Sequence, residues 1–340
     1  SFSLRGIEKT KVFAISGIIN TIINITLNLI FLLVCNMGIE GYLLASIISF
    51  LITSIIQFIF TKFYKYICNP FKIEKKQYLE LIHYSLPLIP NSISWWISNS
   101  SDKIILSSIC GVDANGVYSI AYKVPSLITT CSSIFSNAWQ ISAVDDFGTK
   151  KSQDFYSKVY VNYSGCCIIL ISLITLLNKI ICGFLFSKDF YEAWRFVPVL
   201  VFAVYFQIMS GFIGTIYTSA KKTKMLFIST VIASCSNIVL NLIFIPYIGA
   251  LGAAIATLIS YFIIWIIRLI HSKTLLKLNV NWIKEVLTIS LLAIEIILGC
   301  FEKNFMVFNC LIFIVLFIIR DEFWKISFNL IKVFLKLKRR

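Results

Sequence analysis

Charged side chains are scarce in this chain. Asp, Glu, Lys and Arg make up 14% of its 340 residues, against about 25% in a soluble domain. With 58% hydrophobic residues and a mean hydropathy of +0.86, there is too much apolar surface to hide from water, so the chain belongs in a bilayer. Histidine is nearly absent: His83 and His271 stand alone and far apart. No Ser/His/Asp arrangement and no glycine-rich phosphate loop stands out, so an enzyme is not expected and no catalytic residue is assigned. None of the ten cysteines forms a CxxC pair. Most lie in apolar runs, where a free thiol behaves as a small hydrophobe; no metal site, disulfide framework or cofactor is expected. There is no initiator Met and no visible signal peptide, and the chain opens in a basic loop (Arg5, Lys9, Lys11), as if entered mid-protein. Acidic residues are outnumbered, giving a net charge of +15. A nucleic-acid partner is nonetheless excluded, because the basic residues sit in short clusters between apolar runs, as membrane topology requires.

What the chain does contain is a duplication. Residues 24–31 read NITLNLIF and residues 237–244 read NIVLNLIF. The match extends back to Lys9-Thr10-Lys11 against Lys222-Thr223-Lys224. After a two-residue slip it continues through Gly38 and Gly41 against Gly249 and Gly252, and Ala45, Ile48 and Ser49 against Ala256, Ile259 and Ser260. Ile and Leu coincide easily by chance; paired Asn and Gly do not. A duplicated two-helix unit in an apolar chain points to a transporter built from repeats.

Ten stretches are long and apolar enough to be candidate spans: 12–35, 41–63, 80–109, 117–143, 158–178, 194–219, 225–246, 249–270, 284–300 and 304–320. The last two are weaker, one interrupted by Glu295 and the other short. The break near 246–252 is read from Pro246, Gly249 and Gly252. If the start is cytoplasmic, the outer segments carry only Lys179, Lys188, Arg195 and Lys303. Lys103 and Lys123 fall within or near spans, and the other Lys and Arg lie inside. The positive-inside rule then puts both termini in the cytoplasm, and the protein in the cell (cytoplasmic) membrane. The repeated pairs are six spans apart and cross in the same direction, so the repeat is parallel. The expected organisation is therefore all-α. Residues 1–66 would be the last two helices of an amino-terminal lobe and 67–78 a cytoplasmic linker. Residues 79–270 would be a six-helix carboxy-terminal lobe, 271–322 an additional helix pair and 323–340 a basic amphipathic cytoplasmic tail. Four further helices are expected upstream, for fourteen in all.

Two spans carry polar stripes. Lys123, Ser126, Thr130, Ser133, Asn137 and Gln140 recur at three and four residues and share one helix face. Asn91, Ser94, Ser98 and Ser101 or Asp102 do the same on the preceding span. The pattern reads as the wall of a water-filled cavity; the alternative is interhelical hydrogen bonding, at about 0.6 kcal/mol each. Intramembrane charges cost about 2.5–3.5 kcal/mol even on a lenient scale and usually face a cavity or a partner. Lys103 and Lys123 are thus candidates to attract an anionic group, with Asp102 holding one of them. The alternative is a structural Asp102–Lys123 pair. Pro87, Pro90 and Pro125 are candidate helix kinks. Trp95 and Trp96 are candidates for stacking on a sugar, or interfacial anchors. Asn20, Asn24 and Asn28, like Ser234, Asn237 and Asn241, read mainly as helix-packing contacts.

Residues 85–106 (SLPLIPNSISWWISNSSDKIIL), 114–128 (ANGVYSIAYKVPSLI), 135–143 (FSNAWQISA) and 187–201 (SKDFYEAWRFVPVLV) resemble the polysaccharide or O-antigen flippases. These belong to the multidrug/oligosaccharidyl-lipid/polysaccharide exporter superfamily. NLIFIPYIGALGAAIATLISY (241–261) is similar to a pattern common across it. The resemblance implies fourteen helices in two V-shaped lobes around a central cavity. It also implies movement of a polyprenyl-diphosphate-linked oligosaccharide across the membrane by alternating access. Basic cavity residues, here Lys103 and Lys123, would meet the diphosphate or acidic sugars. The implied partners are that lipid-linked substrate, membrane lipid and the polysaccharide polymerase of the same pathway. A cation-coupled multidrug exporter of the same fold is the alternative.

Overall fold

The structure, a computed structural model, describes residues 10–61, 75–149, 151–301 and 306–320. The described residues are almost entirely helical, and the described part of each of the ten expected spans falls on a helix; 62–63, 304–305, most of the expected linker 67–78 and the expected tail 323–340 lie outside the described residues. Six helices are long and apolar enough to cross a membrane on their own. The polar stripe of 123–146 and the three charges of 282–299 account for two that are not. The chain divides into two compact units between Leu79 and Glu80.

Unit 1 is a helical hairpin: α1 (Thr10–Leu29), a π-helical turn (Ile30–Val34) and α2 (Gly38–Thr61). The bend needs positive φ at Asn36 and Gly38, the latter at 56°, a conformation glycine adopts without cost. Three polar rungs tie the helices together. Asn24 Nδ2 donates to Ser49 Oγ at 3.0 Å, Thr53 Oγ1 to Asn20 Oδ1 at 3.1 Å, and Gln57 Nε2 to Ser16 Oγ at 2.7 Å. Asn and Ser at helical spacing therefore serve packing here, where no hydrophobic force separates helix from lipid. The outward side chains, such as Ile18 and Phe50, are apolar and exposed, as a lipid-facing surface requires.

Helix α3 (Lys75–Ser85) runs across the division, and the rest of the helices form unit 2. They are α4 (Leu88–Ala121), α5 (Lys123–Asp146), α6 (Ser152–Leu176), α7 (Asn178–Leu185), a 3₁₀ turn (Lys188–Arg195), α8 (Val197–Ser219), α9 (Lys224–Ser272), α10 (Trp282–Gly299) and α11 (Met306–Ile319). Helix α8 is apolar all round and buried along nearly its whole length, which makes it the core of the unit.

Two of these helices fold back on themselves. Tyr118 Oη donates to Asp102 Oδ2 at 3.2 Å, although sixteen residues of straight helix would separate them by about 24 Å. The reversal is at Gly111, φ 87°. Likewise Arg268 Nε reaches Ser229 Oγ at 3.0 Å, so α9 is a hairpin, turning at Ile248 and Gly249 (φ 55°). The break expected from Pro246, Gly249 and Gly252 is where the sequence places it.

The three candidate prolines lie at or just after the joins between successive helices, at 86–87 and at Tyr122. Pro87 sits between α3 and α4, and Pro90 and Pro125 lie in the first turns of α4 and α5. There the missing N–H costs nothing, because it has no intrahelical partner anyway. The large bends fall at Gly111 and Gly249 instead.

The duplication is visible in the geometry of the two hairpins. Gly38 and Gly249 share a φ near 55°. A Cβ on Gly41 would lie 2.9 Å from Phe31 Cβ, and one on Gly252 would lie 2.7 Å from the Phe244 carbonyl carbon. Phe31 and Phe244 are equivalent in the repeat. Asn28 Nδ2 donates to Asn24 Oδ1 at 2.8 Å, and Asn241 Nδ2 to Asn237 Oδ1 at 3.1 Å.

The last two helices pack on α6 and α8 through polar contacts. Glu285 pairs with Arg320 and accepts from Ser164 Oγ, while Arg320 Nη2 also donates to Thr288 Oγ1 at 2.6 Å. Glu295 does not disrupt its span: it is buried and accepts from Ser172 Oγ at 2.5 Å.

Candidate functional site

The two polar stripes have different fates. The stripe on α4 faces the first arm of α9 and is used up in interhelical bonds. Thr230 Oγ1 donates to Asn91 Oδ1 at 2.6 Å. Ser234 Oγ donates to the Ser94 carbonyl at 2.8 Å, and Ser98 Oγ to Ser234 Oγ at 3.0 Å. Ser101 Oγ donates to Asn237 Oδ1 at 2.6 Å.

Asp102 ends that stripe, 1% exposed. Its carboxyl group accepts four bonds from neutral donors: Asn241 Nδ2 at 2.6 Å, Asn237 Nδ2 at 3.1 Å, Thr257 Oγ1 at 2.5 Å and Tyr118 Oη at 3.2 Å. Asp102 therefore pairs with neither lysine, which corrects both readings of it. Lys103 projects about 100° further round the helix, with Nζ 5.7 Å from the centre of the Tyr122 ring. Lys123 is exposed at the start of α5. A carboxyl held by four donors fixes α4 against both arms of α9 in one arrangement.

The stripe on α5 splits along its length. The hydroxyls of Ser126 and Thr130 turn back to their own helix, donating to Lys123 O at 2.6 Å and Ser126 O at 2.8 Å. Further along, Ser133, Asn137 and Gln140 line a cavity of about 430 Å³, together with Asn91 and Trp95 of α4. That volume is within the range of small-ligand sites. From α8 come Gln207, Gly211, Thr215 and Thr218, and from α9 Leu226 and Arg268. Trp96, next to Trp95, is 66% exposed and outside the cavity.

Arg268 was not singled out in the sequence, where it reads as the flank of a long uncharged run. It is 2% exposed. Nε donates to Ser229 Oγ at 3.0 Å, Nη1 to the Ser210 carbonyl at 2.9 Å and Nη2 to Thr230 Oγ1 at 2.8 Å. Gly214 makes the room: a Cβ there would lie 3.1 Å from Nη1. These acceptors are all neutral, and among the described residues no acid forms a salt bridge with it. Arg268 is the only charged side chain in the lining, and no carboxyl faces the cavity among the described residues. The available signal was the repeat: its register sets Arg268 opposite Gln57, a polar residue at the same depth of the first hairpin.

Chemically, this cavity offers amides, hydroxyls and one indole, beside a buried guanidinium whose N–H groups bond Ser229, Ser210, Leu226 and Thr230 and whose charge acts on the cavity through space. It suits an uncharged polar or an anionic ligand; it has nothing to neutralise a cation.

Comparisons with known proteins agree with this fold. A family model described as "Polysaccharide biosynthesis protein" matches residues 3–139, and the MatE family model matches residues 87–243. An uncharacterised membrane protein of Methanocaldococcus jannaschii is 32% identical over 119 residues, covering 32% of this chain and 22% of that protein. The lipid II flippase MurJ, in an inward closed conformation, is similar in structure with a TM-score of 0.60 at 19% identity, over 93% of this chain and 68% of that one. A MATE structure in a bent conformation gives 0.66 at 15% identity, over 86% and 65%. A transporter from Pyrococcus furiosus, described as having a binding pocket of reverse polarity, gives 0.63 at 15%, over 76% and 61%. The chain thus spans about two thirds of these solved structures and under a quarter of the curated relative.

Proposed function

We infer that this chain, a member of the multidrug/oligosaccharidyl-lipid/polysaccharide exporter superfamily, is part of a flippase for a polyprenyl-diphosphate-linked oligosaccharide. The observation that carries the reading is the cavity lining: Arg268 is its one charge, set among amides and hydroxyls, with no acid beside it. A saccharide head with an attached diphosphate cannot cross hydrocarbon unaided, because each unpaired charge there costs several kcal/mol. The cavity replaces its hydration with fixed donors. The diphosphate lies toward Arg268, and the saccharide toward Trp95, Asn137, Gln140 and Gln207. Lys103 and Lys123 are outside that lining, toward the other end of α4 and α5, and in this reading meet the diphosphate only as the head moves outward. The polyprenyl tail stays in lipid.

In this reading residues 1–66 belong to an amino-terminal lobe and 79–270 to a six-helix carboxy-terminal lobe, with 67–78 linking them on the cytoplasmic side. Alternating access then exposes the cavity to each face in turn. The cavity lies at the end of the bundle that carries Lys221, Lys222, Lys224 and Lys273, which the positive-inside rule assigns to the cytoplasm. The product suits a surface polysaccharide pathway, with a polymerase as the next component.

The match of the MatE model to residues 87–243 favours a second reading, a cation-coupled drug exporter. The two are separated in a deletion strain by extracting polyprenyl-linked saccharides and scoring surface polysaccharide. Accumulated lipid-linked units with lost surface polymer is the expected result. Normal polymer with new sensitivity to cationic dyes contradicts the flippase and supports the exporter.

A further inference from the structure

We propose that Trp95 is the stacking platform for a pyranose ring of the carried head, and that it decides which glycosylated carriers are accepted. The inference rests on the reading of the cavity as the saccharide site.

Trp95 and Trp96 are neighbours with opposite surroundings. Trp96 is 66% exposed and outside the cavity lining, and Trp95 is half-buried at the cavity wall. The indole of Trp95 is held from behind. Its ring lies 5.7 Å from that of Tyr261, at 51°. Tyr261 is buried on the second arm of α9, and its Oη donates to Asn99 Oδ1 at 2.9 Å. Asn99 is one turn along α4 from Trp95. The brace therefore runs from α4 to α9 and back to α4, and fixes the indole before any ligand arrives. A platform ordered in advance spares the ligand that ordering cost.

Trp95 also packs against the hydrophobic core of the unit, so what bears on the ligand is the chemistry beside its cavity-lining part. A diphosphate gains nothing from a π-face. A planar cation would stack on it, yet Arg268 repels that cation and no acid in the lining offsets the repulsion. A pyranose fits both features. Its C–H face covers the indole, and its edge presents adjacent hydroxyls. Asn137 and Gln207 stand in the same wall, and an amide offers a donor and an acceptor side by side, matched to such a pair.

The test uses the purified protein in lipid nanodiscs and two classes of probe: bare short-chain polyprenyl diphosphate, and the same lipid carrying glucose, galactose or N-acetylglucosamine. Binding is measured for wild type, Trp95→Ala and Trp95→Phe, with thermal unfolding as the check on folding. The expected result is that wild type prefers at least one glycosylated probe about tenfold over the bare diphosphate, a difference of about 1.4 kcal/mol. Trp95→Ala lowers binding of the glycosylated probe to that of the bare diphosphate and so removes the preference; Trp95→Phe, which keeps a flat ring, retains most of it. A preference that survives Trp95→Ala, or equal binding of bare and glycosylated probes by wild type, overturns this proposal alone. Wild type that binds neither class overturns the flippase reading itself.

Discussion

The two copies of the repeated hairpin show how one scaffold is put to two uses. In the first, three polar rungs close on themselves: Asn24 with Ser49, Asn20 with Thr53, Ser16 with Gln57. In the second, the same register holds Asn237 and Ser260, Ala233 and Ile264, Ser229 and Arg268. The top rung opens. Asn237 turns to Asp102 of α4, and Ser260 Oγ falls back on its own helix, donating to Ala256 O at 2.7 Å. The middle rung becomes apolar and buried. The bottom rung keeps its serine and exchanges an amide for a guanidinium at the cavity wall. The backbone of the hairpin is common to both copies. A few polar positions decide whether it merely packs or also holds an acid and presents a cation.

The comparison breaks most visibly at Asp102. Replacing it with Ala leaves the donors of Tyr118 and Asn237 without their acceptor, while Thr257 keeps the Ala253 carbonyl and Asn241 keeps Asn237; each buried unpaired group costs about 1–3 kcal/mol. Thermal unfolding of Asp102→Ala is expected to show a loss of several kcal/mol. The matching change in the first copy, Ser49→Ala, frees one amide and is expected to cost about 0.6 kcal/mol. Equal losses would mean that the carboxyl cage does not hold α4 to α9.

The glycines give the next largest effect. Gly252→Ala drives a Cβ into the Phe244 backbone at 2.7 Å, whereas Gly41→Ala meets side-chain Cβ atoms at 2.9 Å. Overpacking costs about 1–3 kcal/mol, and the change at Gly252 is expected to cost more because backbone yields less than a side chain. The reverse order, read in the same unfolding assay, would contradict the close approach at Phe244.

The smallest effect is expected from making the first copy resemble the second at its middle rung. The double change Asn20→Ala with Thr53→Ile replaces both partners of one hydrogen bond by apolar groups, which is nearly neutral. Unfolding is expected to move by less than about 0.6 kcal/mol, and Asn20→Ala alone by a similar amount, since the Thr53 hydroxyl still donates to the Ser49 carbonyl at 2.7 Å. If the double variant is the worse of the two, the rungs are more than packing devices.

Much of the architecture was legible because it rests on local chemistry. Apolar length marked the spans, and Gly249 and Gly252 marked the hairpin turn of α9, whose positive φ suits glycine. The aligned Asn and Gly residues exposed the duplication. What periodicity cannot supply is the neighbour on the far side of a helix face. The stripe on α4 and the stripe on α5 look alike as strings, yet one meets Ser234 and Asn237 and the other lines the cavity. Asp102 was misassigned for the same reason. Two lysines are near it in sequence, but the donors that surround it come from residues up to 155 positions away. Arg268 was hidden by its position after a long uncharged run, where a cation usually marks a loop.

The most direct test of the account is to measure binding of a short-chain polyprenyl diphosphate and of a cationic dye to wild type, Arg268→Gln and Arg268→Lys. Arg268→Gln gives the second hairpin the polar group the first one has at Gln57. The account predicts that wild type binds the diphosphate and not the dye, that Arg268→Gln weakens diphosphate binding at least tenfold while the protein stays folded, and that Arg268→Lys recovers part of it. Dye binding by wild type, with diphosphate binding absent or indifferent to Arg268, would contradict it.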